Sequence, residues 1–347
     1  MPGRTAIAKA AASLAGALRA EADDPTDIWM EPGVFRPRGG FWRRVMNRAW
    51  TVAAVIAAVS VSGAAQAQAP PPPPAAELRA QTQARLEKIA AGVDGVAGYC
   101  IVDLTSGERF ERAAGQTFPT ASTIKLAILY ELMARADAGT LSLDETIALD
   151  RARAVPGGIL YELGTPVLSL RDYANVMVIE SDNTATNVLI ARLGMEAITA
   201  RMATSGLLAT KLRRYMIDLE AARKGHENVS TPADLARLLE MFHRGTGLTP
   251  ARQEEALRIL KKPKDSPIRS AVPRDIPVAS KPGALDGVRA DTGVVYAKNR
   301  PFVFVAMTTM LQDEGAGDRA IEELARVAFN YFSRLGAASE VGRLLHR

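Results

Sequence analysis

Two hydrophobic rhythms occupy different stretches of the chain. From Glu77 to Ala91 the apolar residues Leu78, Leu86 and Ile89 recur at helical spacing, which predicts an opening helix. Gly98 to Leu104 and Arg109 to Ala113, joined through Thr105-Ser106-Gly107, read as a β-hairpin. From Ser122 to about Leu260 the pattern is mainly helical. Within it, Ser230-Thr231-Pro232 marks one helix start, a cap residue ahead of Pro in the first turn. Strand-like runs return at Val278 to Ser280, Gly293 to Ala297 and Phe302 to Met310, with Asn299-Arg300 as the turn between the last two. Asp318 to Leu335 closes the pattern as an amphipathic helix through Ile321, Leu324, Val327, Ala328 and Phe332. Strands at both ends with helices between predict an α+β fold: an antiparallel sheet built from both chain ends with flanking helices, plus an all-helical inserted subdomain. A cleft where the two parts meet is the expected place for a small-molecule site.

The first 69 residues do not share these rhythms. Arg43, Arg44 and Arg48 precede an apolar run from Ala49 to Val61, and small residues follow at Ala65-Gln66-Ala67 and Ala67-Gln68-Ala69. This is the charged, apolar and cleavage-site order of a secretory signal, with cleavage expected after Ala67. The run is short of the roughly 20 residues of a spanning helix, which favours a signal over an anchor. Residues 1–41 are unusual ahead of a signal peptide: either Met46 is the working start, or a cytoplasmic tail precedes an anchor. The expected organisation is therefore an extension with signal or anchor (1–69), a stiff Pro-rich linker (70–76) and one catalytic domain (77–347). The expected location is exported, periplasmic or secreted, with membrane attachment only if the segment stays uncleaved.

Charge changes little once that segment is set aside. The 43 basic and 38 acidic residues give +5, but residues 1–67 carry eight of the former and five of the latter, leaving 35 against 33. No basic block remains that resembles a nucleic-acid footprint. Cys100 is the single cysteine, so no internal disulfide forms, and its apolar neighbours Val96, Tyr99 and Ile101 predict a buried small hydrophobe. The histidines, His226, His243 and His346, have no partner spacing for a Ser-His-Asp triad or a metal site. No metal and no cofactor is expected.

Candidate chemistry lies in three short motifs in fixed order: Ser122-Thr123-Ile124-Lys125, Ser181-Asp182-Asn183 and Lys281-Pro282-Gly283. Positions i and i+3 are neighbours on a helix, so Lys125 brings an amine within reach of the Ser122 hydroxyl. Each motif alone is weak; their order and surroundings carry the signal. Ser122 follows Phe118-Pro119-Thr120-Ala121 into a helical pattern, and the second motif leads through Thr184-Ala185-Thr186-Asn187 into Val188-Leu189-Ile190. The third leads into the strand-like Val294-Val295-Tyr296. A hydroxyl at a helix start gains from backbone N–H groups and the positive dipole end. A lysine acting as a base requires a depressed pKa, which burial and a second cation nearby would supply.

This S-x-x-K, S-D-N, K-x-G set is used by active-site serine β-lactamases and penicillin-binding proteins. From about Glu77 to Leu335 the chain resembles a class A β-lactamase in motif order, element order and spacing. The resemblance implies attack by Ser122 on a lactam carbonyl, a covalent acyl-enzyme, and hydrolysis, on β-lactams or cell-wall peptide-like substrates. It further implies Lys125 as base and Ser181 as proton relay to the leaving nitrogen. Asn183 would hold the substrate amide and Lys125, and Asp182 would brace its turn. Lys281, Gly283 and Ala284 would line the substrate, with the Ser122 and Ala284 N–H groups on the oxyanion.

Several positions depart from the family. Pro282 stands where Thr or Ser usually donates a hydroxyl to the substrate carboxylate; on an open strand edge it breaks no ladder bond. Arg289 matches a position where some members keep a carboxylate-binding arginine, and is expected to compensate. In Arg214-Tyr215-Met216-Ile217-Asp218-Leu219-Glu220, Arg214 and Leu219 match the family loop, while Met216 replaces the water-activating Glu, Ile217 the Pro and Glu220 the Asn. Asn228 replaces the Asp that usually pairs with the arginine. A thioether cannot deprotonate water, so acylation is expected to survive and rapid deacylation is not, unless Asp218 or Glu220 substitutes. Two rivals follow: a penicillin-binding-protein-like carboxypeptidase or esterase, and a non-catalytic β-lactam or cell-wall-peptide sensor that stays acylated.

Overall fold

The computed structural model describes residues 73–345; the expected signal and residues 70–72 of the Pro-rich linker lie outside them. The opening helix α1 runs Pro74–Ala91, three residues earlier than expected, with Pro at its first turn. A proline there forfeits only an N–H that no helix bond would use. Five strands form an antiparallel sheet in the order β2-β1-β9-β8-β7: β1 Val96–Asp103, β2 Arg109–Arg112, β7 Val278–Leu285, β8 Val288–Val295 and β9 Phe302–Thr309. Chain ends thus meet in one sheet. The last helix, α10 (Glu314–Ala337), packs with α1 against it.

Both faces of this sheet are covered, and the strands show why their sequences read as unbroken apolar runs. Along β9, Phe302, Phe304 and Ala306 point into a cluster with Leu86, Ile321, Leu324 and Phe332. The alternate residues Val303, Val305 and Met307 point into the larger cluster that includes the inserted helices. Side chains alternate between faces along a strand, so a strand buried on both sides must be apolar throughout. Each fully buried side chain of this size contributes about 1.5–3 kcal/mol relative to exposure. Cys100 lies on the second face, fully buried, and burial with Glu111 beside it pushes its thiol up to about 12.

The insertion contributes α2 (Lys125–Asp137), α3 (Leu170–Ile179), α4 (Asn183–Leu193), α5 (Met195–Thr204), the short α6 (Leu219–Arg223), α7 (Pro232–Arg244) and α8 (Pro250–Leu260). Helix α7 begins as its sequence predicts: the Thr231 side chain accepts the Asp234 N–H and Pro232 follows. It ends at Gly245 with φ +69°, a left-handed cap that glycine adopts without a Cβ clash. The helical pattern does not anticipate a ribbon of β4 (Thr146–Ala148) and β5 (Val167–Ser169), nor the pairing of β3 (Phe118–Pro119) with β6 (Val229–Ser230). Strands this short leave too few positions for a period to register. A last short helix, α9 (Pro267–Ala271), precedes β7. Among the described residues, no helix is long and apolar enough to cross a membrane.

Candidate active site

Ser122 sits in a 3₁₀ turn, Ala121–Ile124, that runs directly into α2. The preceding Ala121 adopts φ +46°, an uncommon conformation for a residue with a side chain, so the chain bends sharply into the turn. Lys125 opens α2 one turn later, and its Nζ lies 3.0 Å from Ser122 Oγ. The same amine contacts the Ser181 carbonyl at 2.6 Å, Ser181 Oγ at 3.1 Å and Asn183 Oδ1 at 3.1 Å. Lys125 is 0% exposed. Burial first, then the charge of Lys281, holds its pKa well below the usual lysine range, against the opposing pull of Asp182.

Ser181 and Asn183 come from the turn leading into α4. Ser181 takes φ +54°, which turns its hydroxyl and carbonyl together toward Lys125. Asp182 is the helix cap: it accepts the Ala185 N–H at 2.7 Å and the Leu160 N–H at 2.8 Å, and is fully buried. A strap of Val155, Pro156, Gly157 and Gly158 covers this turn. Asn183 donates its side-chain amide to the Pro156 carbonyl (3.0 Å) and its backbone N–H to the Gly157 carbonyl (3.1 Å). A Cβ on Gly157 would collide with the Asn183 amide, and one on Gly158 with the Asp182 carboxylate.

Strand β7 delivers the third motif. It is an edge strand, with Lys281 opposite Thr292 and Pro282 opposite Asp291, so a proline is accommodated there. Lys281 Nζ donates to Ser181 Oγ at 3.0 Å and to the Pro282 carbonyl at 2.8 Å. Ser181 Oγ is therefore held between two amines. Lys281 is 1% exposed, and burial lowers it to about 7; Asp291 raises it and Lys264 lowers it. A Cβ on Gly283 would stand 2.9 Å from the Ser122 nitrogen and 3.0 Å from the Thr120 carbonyl. Only glycine lets β7 lie this close to the serine backbone. Ser122, Ser181, Asn183, Gly283 and Ala284 all line one cleft of about 780 Å³.

Arg289 also lines that cleft, but its charge is paired and four of its five N–H groups are engaged. Its Nη2 pairs with Glu314 at 2.7 Å, its Nε with Asp318 at 3.2 Å, and its Nη1 donates to the Leu285 and Val288 carbonyls. This corrects the expectation of a guanidinium free to compensate for Pro282. The loop between α5 and β6 differs from expectation in another way. Glu227, one residue before Asn228, pairs with Arg214 at 2.8 Å. Asn228 instead accepts the Arg213 and Arg214 N–H groups at 2.7 and 3.1 Å. The brace is thus rebuilt with its charge moved by one position.

Within the loop, Met216 is buried in the larger core cluster, and Asn187 grips its backbone, accepting its N–H at 2.8 Å and donating to its carbonyl at 3.2 Å. Ile217 follows at φ +62°, rare for a β-branched residue. Asp218 caps α6 through the Ala221 N–H, and Glu220 pairs with Lys224 at the surface. Neither lines the cleft. Sequence reasoning missed the strap, Asn187, Glu227 and Glu180, an exposed carboxylate in the cleft wall. The Pro156-Gly157-Gly158 run and the i, i+4 spacing of Asn183 and Asn187 were the available signals.

A serine beside a buried, deprotonation-prone lysine, with a second hydroxyl held between two amines, defines an acyl-transfer enzyme with a serine nucleophile. Residues 81–332 match the model of the beta-lactamase enzyme family, and the chain belongs to that family, on the side of its class A members. It is 29% identical over 255 residues to an imipenem-hydrolyzing beta-lactamase of Enterobacter cloacae, covering 71% of this chain and 87% of that one. Among solved structures, an ancestral class A beta-lactamase superposes with a TM-score of 0.69 at 27% identity, covering 73% of this chain and all of the other. PBP-A superposes with a TM-score of 0.67 at 26% identity, covering 73% and 96%.

Proposed function

We propose that this protein is an exported serine hydrolase acylated at Ser122 by β-lactams or related amides and esters, with slow release of the acyl group. The observation that carries the reading is the 3.0 Å approach of a fully buried Lys125 amine to Ser122 Oγ. A neutral Lys125 accepts the Ser122 proton as Oγ attacks the carbonyl carbon. The N–H groups of Ser122 and Ala284 then face the oxyanion. Ser181 passes its proton to the departing nitrogen and is resupplied by the amines that flank it, while Lys281 holds positive potential beside it. Intact-mass measurement after exposure to benzylpenicillin tests this: one penicillin mass should be added, on Ser122. A protein that gains no mass would sink the reading.

A second reading is favoured by Met216 and by the engagement of Asp218 and Glu220 elsewhere. It is a penicillin-binding-protein-like carboxypeptidase that β-lactams trap. Release of D-alanine from a cell-wall peptide, faster than hydrolysis of a chromogenic cephalosporin, would select it.

The pH dependence follows from the two lysines. Acylation needs Lys125 neutral and Lys281 charged. Lys125 stays neutral below the ordinary lysine range because its pKa is lowered. Lys281, at about 7, loses its charge as pH rises through neutrality. The acylation rate should therefore fall on the alkaline side with a midpoint near 7. Asp291→Asn should move that limb to lower pH, because the carboxylate raises Lys281. Stopped-flow acylation across pH reads both effects; a limb above pH 9 that ignores Asp291→Asn would contradict the assignment.

Export is expected from the order Arg43 to Ala69, with the mature chain beginning near Gln68. N-terminal sequencing of the extracytoplasmic protein checks it. A full-length product integrated in the membrane would make the segment an anchor.

A further inference from the structure

A second cavity, of about 450 Å³, is bounded by Asp150 and Arg153, just ahead of the Val155–Gly158 strap in the chain, and shares no lining residue with the cleft that holds Ser122. Its floor is one face of α4, Thr184, Asn187, Val188, Ala191 and Arg192, at helical i, i+3, i+4, i+7, i+8 spacing. Ile147 and Leu149 from the β4 region form one wall, and Tyr215, the residue before Met216, stands at another. The volume is that of a small-molecule site.

Apart from the Tyr215 hydroxyl, the polar side chains of the lining already have partners. Thr184 Oγ1 accepts the Val155 N–H and donates to the Val155 carbonyl, both at 2.9 Å. Asn187 holds both backbone groups of Met216. Arg192 forms a two-pronged pair with Glu145 at 2.6 and 2.8 Å, and Asp150 caps Ala152 and pairs with Arg153. An incoming molecule would find apolar surface and an aromatic ring, with no uncompensated charge to neutralise. A charged ligand would lose hydration without a partner.

We infer that this cavity is a second binding site, for an uncharged ligand of one or two aromatic rings, and that its occupancy is felt at the loop carrying Met216. The coupling is mechanical. Thr184 and Asn187, one turn apart on the cavity floor, clamp the strap over Asn183 and the backbone of Met216 respectively. A ring seated between them bears on both clamps. The binding claim stands on the cavity alone; the coupling rests on the hydrolase reading.

The test titrates the full-length protein with 1-naphthol by calorimetry, and follows the lifetime of the benzylpenicillin acyl-enzyme with and without it. Ala191 is exposed, so Ala191→Trp fills the cavity and Ala191→Arg charges it at a position where a helix accepts either side chain. Expected are saturable binding to the wild type, its loss in both variants with penicillin labelling retained, and an acyl-enzyme lifetime changed about fivefold by the probe. Absent binding, or binding undiminished in both variants, would overturn the site. Binding with an unchanged lifetime would overturn the coupling. A wild type that binds naphthol but takes no penicillin would remove the hydrolase reading and leave the site standing.

Discussion

Ser122→Ala should abolish covalent labelling by penicillin, and Lys125→Ala should slow it by about 10² to 10⁴ while leaving the fold intact. The first effect is total because the bond to the carbonyl carbon forms at Ser122 Oγ; Ser181 Oγ, also beside Lys125 at 3.1 Å, is the position to inspect for any residual label. The second effect is partial because the Ser122 and Ala284 N–H groups remain. Stability should change little in Lys125→Ala. Burying the amine opposes its charge, so its removal relieves a desolvation cost, and the polar walls left behind can hold water. Thermal unfolding and labelling rates, read side by side, separate loss of chemistry from loss of fold. Labelling that persists undiminished in Ser122→Ala, mapped to another residue, would displace Ser122 as nucleophile.

The parts of this site that sequence reveals are those fixed by local geometry. Ser122 and Lys125 meet because one helical turn separates them, and Asp182 caps α4 because its side chain reaches the N–H three residues on. The strands of the sheet are legible where alternation is buried on both faces, as in Phe302–Thr309. Legibility fails where partners are distant or where a residue type misleads. The strand-like run is bounded at Ser280 in the sequence, yet β7 continues through Pro282 and Gly283 to Leu285, since an edge strand needs no N–H at the proline and close approach to Ser122 needs the glycine. Arg289 looks like a ligand for an anion until Glu314 and Asp318 of the last helix are placed beside it. The brace of the Met216 loop looks lost at Asn228 until Glu227 is seen to hold Arg214. Opposite charges 13 to 29 residues apart leave no periodic trace, so such pairs emerge only with the fold.

Met216 leads to the other large effect: a penicillin should acylate the protein in a stoichiometric burst and turn over slowly afterwards. Forming the acyl-enzyme uses Ser122, Lys125 and the oxyanion N–H groups. Breaking it needs a base aimed at water on the other side of the ester, and the loop expected to supply one turns an apolar side chain into the core. Losing a positioned general base costs about 10² to 10⁴ in rate. The neighbouring carboxylates do not replace it in this conformation, since Asp218 caps α6 and Glu220 pairs with Lys224. Met216→Glu should restore only part of the deacylation. Asn187 fixes the backbone at that position, and a carboxylate entering the apolar packing of Met216 would have its pKa raised, away from the ionised base the step requires. Pre-steady-state kinetics with a chromogenic cephalosporin read burst and steady state together. Fast multiple turnovers without a burst would show that another carboxylate, Asp218, Glu220 or the cleft-lining Glu180, has taken charge of the water.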